Sequence, residues 1–103
     1  MDVILANEDD APQLLKLQKA AYVSEAELHN DFSIPPLTQT LDSFKASFAN
    51  KTILKIVVNN EIVASGQAAL IGDTCHIGRM AVWPHLRGQG YGSKLLLSLE
   101  NVF

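Results

Sequence analysis

Thiols, long apolar runs and basic residues are all scarce in this chain of 103 residues. A single cysteine, Cys75, excludes an internal disulfide framework and a cysteine-rich metal site. The longest apolar stretches, such as Leu95–Leu97, are far shorter than the roughly 20 residues that cross a bilayer. The N-terminus lacks the basic start and apolar run of a signal peptide. We therefore expect a cytoplasmic protein with no membrane partner.

Basic residues are outnumbered by acidic ones, eight to eleven, which argues against non-specific nucleic-acid binding. The 48% hydrophobic content and 18% charged residues are typical of a globular domain, and the length suits a single one. No acid lies between Asp73 and Glu100, whereas Arg79, His85, Arg87 and Lys94 all lie there. This stretch indicates a site for an anionic small molecule, and chance clustering explains it equally well.

Strand and helix signals alternate in the first half of the chain. A short strand at Val3–Ala6 is followed by Asn7, which can cap a helix. Apolar residues at helical spacing predict two amphipathic helices. They are Leu14, Leu17 and Ala21 in the first, and Leu41, Phe44 and Phe48 in the second. Between these helices we expect a loop, Ser24 to Leu37, because Pro35-Pro36 would interrupt a helix.

The second half predicts an antiparallel meander followed by a helix. Its strands are Ile53–Val58, Ile62–Ile71 and Thr74–Trp83, joined by turns at Asn59-Asn60 and Gly72-Asp73. Gly66 is a candidate bulge in the second strand. Leu95, Leu99 and Val102 lie on one face of the helix. A helix after a strand usually returns to a parallel neighbour, so the outer edge of the third strand stays open. We expect either a fragment or an edge that a partner covers, for example in a homodimer.

The loop between this meander and the last helix is rich in glycine and runs from Arg87 to Lys94. Glycines let the backbone approach a ligand closely, and the first amides of a helix can bind a phosphate. Arg87 could add a cationic clamp. A plain turn and helix start would explain the glycines as well. The order Gly92-Ser93-Lys94 does not fit a P-loop, and the G-x-G-x-G spacing does not fit a dinucleotide fingerprint.

The spacing R-x-x-G-x-G, formed by Arg87, Gly90 and Gly92, resembles the acetyl-CoA pyrophosphate motif of the GNAT N-acetyltransferase superfamily. Residues 78–86 resemble that family's fourth strand and its exit. The resemblance implies an α+β, GNAT-like acyl-CoA N-acyltransferase fold: a mixed, mainly antiparallel sheet with helices on both faces, truncated after the third helix. Residues 1–103 would then form a single, incomplete N-acetyltransferase domain.

By this resemblance the protein transfers an acetyl or other acyl group from coenzyme A to an amine of a small molecule or peptide. Acetyl-CoA is the co-substrate, and no metal is expected. The backbone of Met80, Ala81 and Val82 would hydrogen-bond the pantetheine arm and polarise the thioester carbonyl. Seven residues would surround the pyrophosphate with their amides: Arg87, Gly88, Gln89, Gly90, Tyr91, Gly92 and Ser93.

The segment from Tyr22 to Leu37 corresponds, by the same resemblance, to the region that shapes the acceptor pocket. Its acids suit an amine-bearing acceptor, although a solvated loop explains each of them as well. Candidate substrate contacts are Tyr22, Glu25, Asn30 and Arg79. His76 is either a base or a histidine packed in the sheet, and strand alternation places it opposite Arg79 unless a bulge intervenes.

The family's next strand has no counterpart here, and neither does the following helix, which often carries the tyrosine thought to protonate the thiolate. Tyr22 and Tyr91 lie in the wrong elements for that role, so no catalytic residue is assigned, and we expect residues 1–103 to be a poor catalyst. Two other classes stay open. One is a non-catalytic acyl-CoA-binding module. A gene that continues and encodes that strand and helix would argue against this class. The other is a structural domain whose loop binds no phosphorylated ligand.

Overall fold

The computed structural model describes residues 2–103 and contains one four-stranded sheet with helices packed on both faces. The strands are β1 (Val3–Leu5), β2 (Thr52–Val58), β3 (Glu61–Ile71) and β4 (Thr74–Val82), and they are ordered β1-β2-β3-β4. All three pairings are antiparallel. The α+β class and the three-stranded meander are confirmed, and β1 extends the meander through β2.

Four helices flank the sheet: α1 (Ala11–His29), α2 (Pro35–Thr38), α3 (Leu41–Ser47) and α4 (Tyr91–Glu100). Asn7 caps a short 3₁₀ turn, Glu8–Asp10, that leads into α1. The Asn7 side chain accepts from the Asp9 amide at 2.9 Å, and Asp10 accepts from the Asn7 amide at 3.0 Å. This reciprocal capping satisfies amides that a helix start leaves open, as the sequence predicts.

The two faces of the sheet bury separate apolar clusters. On one face α1 and α3 pack Leu14, Leu17 and Phe44 against Ile53 and Ala81. On the other face α4 packs against the opposite side of the same strands, through Tyr91, Leu95, Ile56 and Ala64. Because β2 contributes Ile53 to one cluster and Ile56 to the other, the strand is apolar on both sides, as a sheet covered by two layers requires.

The predicted loop from Ser24 to Leu37 is wrong for most of its length. Helix α1 continues to His29 and ends at Asn30, whose left-handed backbone (φ 50°) closes the helix. The residues Ser24–His29 contain no glycine or proline, so nothing in them interrupts the helix. Pro35 then opens α2, because proline fits the first turn of a helix, where its missing N–H is not needed.

The turn and bulge predictions had different outcomes. Asn59 and Asn60 both adopt left-handed backbone, φ 53° and 66°, which confirms a tight hairpin turn. Gly66 is not itself bulged. The β3–β4 register runs from Ser65 opposite Ala81 to Gln67 opposite Gly78, so the extra residue belongs to β4. A Cβ on Gly66 would lie 2.6 Å from Met80 Sδ and 2.7 Å from Leu99 Cδ1, so a close approach of β4 and α4 requires this glycine.

Candidate functional site

The glycine-rich loop after β4 places a row of backbone amides at the start of α4. Gly88 and Gly90 adopt φ 85° and 87°, a conformation that side chains with a Cβ rarely adopt. The Lys94 amide donates to Gly90 O at 3.1 Å, and this bond closes the first turn of α4. The amides of Tyr91, Gly92 and Ser93 precede it, so they have no carbonyl four residues back within the helix. Such amides can bind an anion, helped by the helix dipole.

A cavity of about 510 Å³ lies between this loop, β4 and α1. Met80 and Val82 line it from β4, and Ala21 lines it from α1. The loop and the start of α4 supply the remaining residues: Leu86, Arg87, Gly88, Gly90, Tyr91, Gly92 and Ser93. Eight of the ten predicted cofactor residues are among these. The other two are Ala81, whose side chain is buried in the cluster below α1, and Gln89, which is exposed.

The side chain of Arg87 is exposed, lines the cavity and contacts α1. Its Nη2 donates to Ala21 O at 2.6 Å, and its Nη1 donates to Ser24 Oγ at 3.2 Å. In this structure its guanidinium therefore binds groups of α1, and its role as a phosphate clamp stays a prediction. The guanidinium fastens the loop to α1, which is possible because α1 extends past Ser24. The sequence could not show this contact, since the residues are 63 and 66 positions apart.

The bulge in β4 redirects the strand next to this cavity. Gly66 lies opposite two residues, Arg79 and Met80. Arg79 has φ 51°, an uncommon conformation for a residue with a long side chain. Met80 packs with the α4 cluster, whereas Arg79 lines a cavity beside α3. The bulge therefore places Arg79 on the same face of the sheet as His76. The sequence left open whether these two side chains lie on the same or on opposite faces.

The cavity beside α3 has a volume of about 340 Å³ and polar walls. Tyr22, half-buried on α1, lies within electrostatic range of both Glu25 and Arg79. Burial and the Glu25 carboxylate raise the pKa of the Tyr22 phenol, while Arg79 opposes the rise. Of the four predicted acceptor residues, only Arg79 lines this cavity, and Tyr22 and Glu25 line neither cavity. Asn30 also lines neither cavity and caps α1 at an exposed position.

The comparisons with known proteins agree with this geometry. The model of the acetyltransferase (GNAT) family matches residues 12–103. The chain belongs to this family. Among curated proteins no significant sequence match to the chain is found.

Several solved structures share the fold of this chain. The BH1408 protein from Bacillus halodurans aligns with a TM-score of 0.79 and 18% identity, over 97% of this chain and 73% of that one. PaiA N-acetyltransferase from Thermoplasma acidophilum, in complex with coenzyme A, gives 0.66 and 16%, over 97% and 70%. A protein from Clostridium acetobutylicum, described as a predicted acetyltransferase with acetyl-CoA, gives 0.68 and 19%, over 97% and 71%. The expected family and fold are confirmed.

The residues that sequence reasoning missed come mainly from α3 and the segment after it. They line the cavity beside Arg79: Gln39, Ser43, Ala46, Ser47, Asn50 and Lys51. Ser43 and Ser47 are four residues apart on α3 and so lie on one face of that helix, and Asn50 lies in the turn that follows it. This spacing of polar residues was a usable signal, but the GNAT resemblance drew attention to the segment before it.

Residues near the glycine-rich loop form a third cavity of about 360 Å³, between α1 and the ends of β3 and β4. Trp83 lines it and donates Nε1–H to Ile62 O at 3.0 Å. Elsewhere in residues 2–103, no cluster of three or more His, Cys, Asp or Glu side chains could hold a metal ion. Within the same range, no helix is long and apolar enough to cross a membrane.

Proposed function

We propose that this GNAT protein transfers an acetyl group from acetyl-CoA to an amine acceptor. The observation that carries the proposal is the row of amides at the start of α4, from Tyr91 to Ser93, which faces a cavity beside the edge strand β4. A pyrophosphate is the anion that such a site fits, because several amides can each donate a charge-assisted hydrogen bond of roughly 1.5–3 kcal/mol.

The residues present fit coenzyme A in three further respects. None of the ten residues that line the cavity is acidic, so no carboxylate there repels a phosphate. Gly88 and Gly90 keep side chains away from the loop surface. Met80 and Val82 offer an apolar wall for a pantetheine arm along β4, whose outer edge is unpaired within residues 2–103.

Acetyl-CoA supplies an activated thioester. In the proposed reaction an uncharged acceptor amine forms a bond to the acyl carbon as the carbon–sulfur bond breaks; the nitrogen loses a proton and the sulfur gains one. The chain's contribution is to orient the reactants and polarise the carbonyl with an N–H on the outer edge of β4. Tyr22, like an ordinary tyrosine, is protonated at neutral pH, and burial and Glu25 raise its pKa further, so its hydroxyl can donate a hydrogen bond to the acceptor.

The structural relatives independently support coenzyme A as the ligand. Two of them are described with coenzyme A or acetyl-CoA bound. At 16% and 19% identity they share the fold, and the acceptor must be inferred from this chain's own residues. A cytoplasmic location and a homodimer through the β4 edge stay predictions.

A calorimetric titration with acetyl-CoA tests the proposal. We expect binding near micromolar, about −8 kcal/mol. Gly90→Val should weaken it by at least about 100-fold, because valine cannot adopt φ 87° without strain and the amides would turn away. Gly72→Val is the matched control: Gly72 has φ 62° and open space around it, but lies in the β3–β4 turn at the far end of β4. Equal losses in both variants would contradict the proposal.

A non-catalytic acyl-CoA-binding module is the second candidate. It is favoured by the unpaired edge of β4 within residues 2–103, which leaves the loop cavity open on one side. Release of free thiol from acetyl-CoA in the presence of amines separates the two. Binding without amine-dependent thiol release supports the module, and amine-dependent release supports the transferase.

A further inference from the structure

The cavity beside α3 is cationic, in a protein with a net charge of −3. Two of its lining side chains are basic, Arg79 and Lys51, and none is acidic. The others are short or uncharged: Gln39, Ser43, Ala46, Ser47 and Asn50. A site of this composition attracts an anion and disfavours a polycation.

The side chain of Arg79 makes no hydrogen bond or ion pair with any group in residues 2–103. Its side chain is nevertheless partly buried between β4 and α3, and its backbone is held at φ 51° by the bulge. A partly buried guanidinium without a carboxylate partner costs free energy that a bound anion would offset. Backbone strain that aims a charged side chain into a cavity is typical of a binding site.

The neutral neighbours of Arg79 leave hydrogen-bond donors directed to the same space. Gln18 donates to Gln39 Oε1 at 3.0 Å and fixes the Gln39 amide, whose Nε2 donates to Ser43 Oγ at 3.3 Å. Since Ser43 Oγ accepts that bond, its hydroxyl hydrogen stays available for a ligand. Asn50 and Lys51 add further N–H donors from the end of the α3 segment.

The cavity is adjacent to the position where the proposed acyl transfer takes place. Arg79 precedes Met80, which lines the coenzyme cavity on the other face of β4. The Tyr22 phenol interacts electrostatically with both Arg79 and Glu25. An acceptor that reaches the edge of β4 with its amine would therefore extend its other end towards Arg79 and Lys51.

We propose that the acceptor amine carries a carboxylate, as an amino acid does, and that Arg79 and Lys51 bind this carboxylate. The inference rests on the proposed acetyl transfer and adds the substrate class. Arg79 supplies a planar pair of N–H donors that matches a carboxylate, and Lys51 supplies a second positive charge. Arg79 is a substrate-binding residue in this proposal and takes no part in proton transfer.

Thiol release from acetyl-CoA with matched acceptors tests the substrate class. The probes are the standard amino acids, the corresponding amino acid amides, and amines that lack an anion, namely ethanolamine and spermidine. The best acceptor should be an amino acid, with kcat/KM at least about tenfold above that of its own amide, equivalent to 1.4 kcal/mol. An amide, ethanolamine or spermidine as the best acceptor overturns the proposal.

Variants test whether the preference for an amino acid over its amide arises from this cavity. Arg79→Gln should raise KM for the amino acid, so that the ratio of kcat/KM for the amino acid to kcat/KM for its amide falls to near unity. Lys51→Gln should reduce this ratio in part. Lys45→Gln is the control, because Lys45 lies on α3 outside the cavity lining and should leave the ratio unchanged. An unchanged ratio in Arg79→Gln, or an equal effect of all three variants, overturns the assignment.

A binding measurement covers the case of slow turnover. N-acetylglycine should shift the Arg79 side-chain Nε–H signal in a ¹⁵N NMR titration, and N-acetylglycinamide should not. No response to N-acetylglycine at any concentration that leaves the protein folded overturns the carboxylate proposal. Failure of acetyl-CoA to bind would instead overturn the proposed acetyl transfer, so the two failures are distinguishable.

Discussion

The two cavities on either side of β4 are built from different parts of the chain. In the proposed coenzyme cavity the anion-binding groups are backbone amides, from Tyr91 to Ser93, next to glycines with positive φ. The proposed acceptor cavity takes its polar groups from side chains of α3, the segment after it and the β4 bulge. A site made from one continuous loop leaves a motif in the sequence, and a site assembled from separate elements does not.

Their arginines differ in the same way. Arg87 belongs to the motif, yet its guanidinium is bound to Ala21 O and Ser24 Oγ and supports the loop. Arg79 lies outside the motif, and its guanidinium is free to meet a ligand. The position of an arginine in a motif therefore does not tell whether its charge contacts the ligand.

The largest effect is expected at Gly66, which lets α4 and β4 approach each other. Gly66→Val should destabilise the protein by about 1–3 kcal/mol, because its side chain would overlap Met80 Sδ and Leu99 Cδ1. Urea unfolding measures this change. Gly78→Val on the neighbouring strand is the control, since nothing lies within 4 Å of a Cβ there. Similar destabilisation by both variants would contradict the close-approach explanation.

The next effect concerns the start of α1, the helix that lines the cavity beside the glycine-rich loop through Ala21. Lys55 Nζ lies 2.7 Å from Asp10 Oδ2, with side chains 13% and 16% exposed. Burial opposes ionisation of Asp10, but hydrogen bonds from Lys55 and the Asn7 amide outweigh it and lower the Asp10 pKa. Lys55→Met should cost about 1.5 kcal/mol at neutral pH, at the low end for a charged hydrogen bond because the pair is partly solvated.

The pH dependence of this variant follows from the direction of the Asp10 shift. Because the Asp10 pKa is lower in the folded state than in the unfolded state, the ionised carboxylate stabilises the fold at pH values above the unfolded-state pKa, about 3.9. This stabilisation is lost as the pH falls through the folded-state pKa. The stability difference between wild type and Lys55→Met should therefore shrink below about pH 4. Urea midpoints at a series of pH values measure it, with Lys16→Met as the control. A constant difference down to low pH would count against the ion pair.

A smaller effect on coenzyme affinity is expected from Arg87→Met. The methionine keeps part of the side-chain length but cannot donate to Ala21 O and Ser24 Oγ, so the loop loses its attachment to α1. We expect acetyl-CoA binding about tenfold weaker, or 1.4 kcal/mol, in calorimetry. Ser24→Ala removes only the longer bond and should cost less. A loss as large as that of Gly90→Val would indicate that Arg87 contacts the coenzyme directly.

The smallest effect separates backbone from side-chain binding within the loop. The double variant Gln89→Ala, Ser93→Ala removes polar side chains and keeps every amide. Acetyl-CoA affinity should then change by less than about threefold, below 1 kcal/mol. A loss of about tenfold or more would show that the loop binds through side chains, and the contrast between the two cavities would fail.

The fold was predictable where the signal is local or motif-based. The Asn59-Asn60 hairpin, the Asn7 cap and the strand–loop–helix around Gly90 all follow from residues that prefer particular backbone conformations. The segment from Ser24 to His29 was mispredicted because the loop was inferred from Pro35-Pro36, although Ser24–His29 has no glycine or proline and is compatible with a helix. Proline at 35 marked a helix start and not an interruption.

The acceptor cavity was only partly predictable, for a physical reason. Its geometry depends on the β4 bulge, which moves Arg79 to the α3 face and follows from a register difference between two strands. No residue pattern within β4 alone specifies that register. Tyr22, Glu25 and Arg79 were named from the GNAT resemblance, whereas Ser43, Asn50 and Lys51 emerged only when α3 was packed against the strand.

The most direct test of the central claim is a ¹H–¹⁵N NMR titration of the ¹⁵N-labelled protein with coenzyme A. The account predicts that the largest amide shifts fall on residues 88–93, with smaller changes at Met80 and Val82, and that they saturate together. If the largest shifts fall instead around Lys16, Trp83 and His85, which line the third cavity, the coenzyme does not bind at the glycine-rich loop and the account is contradicted.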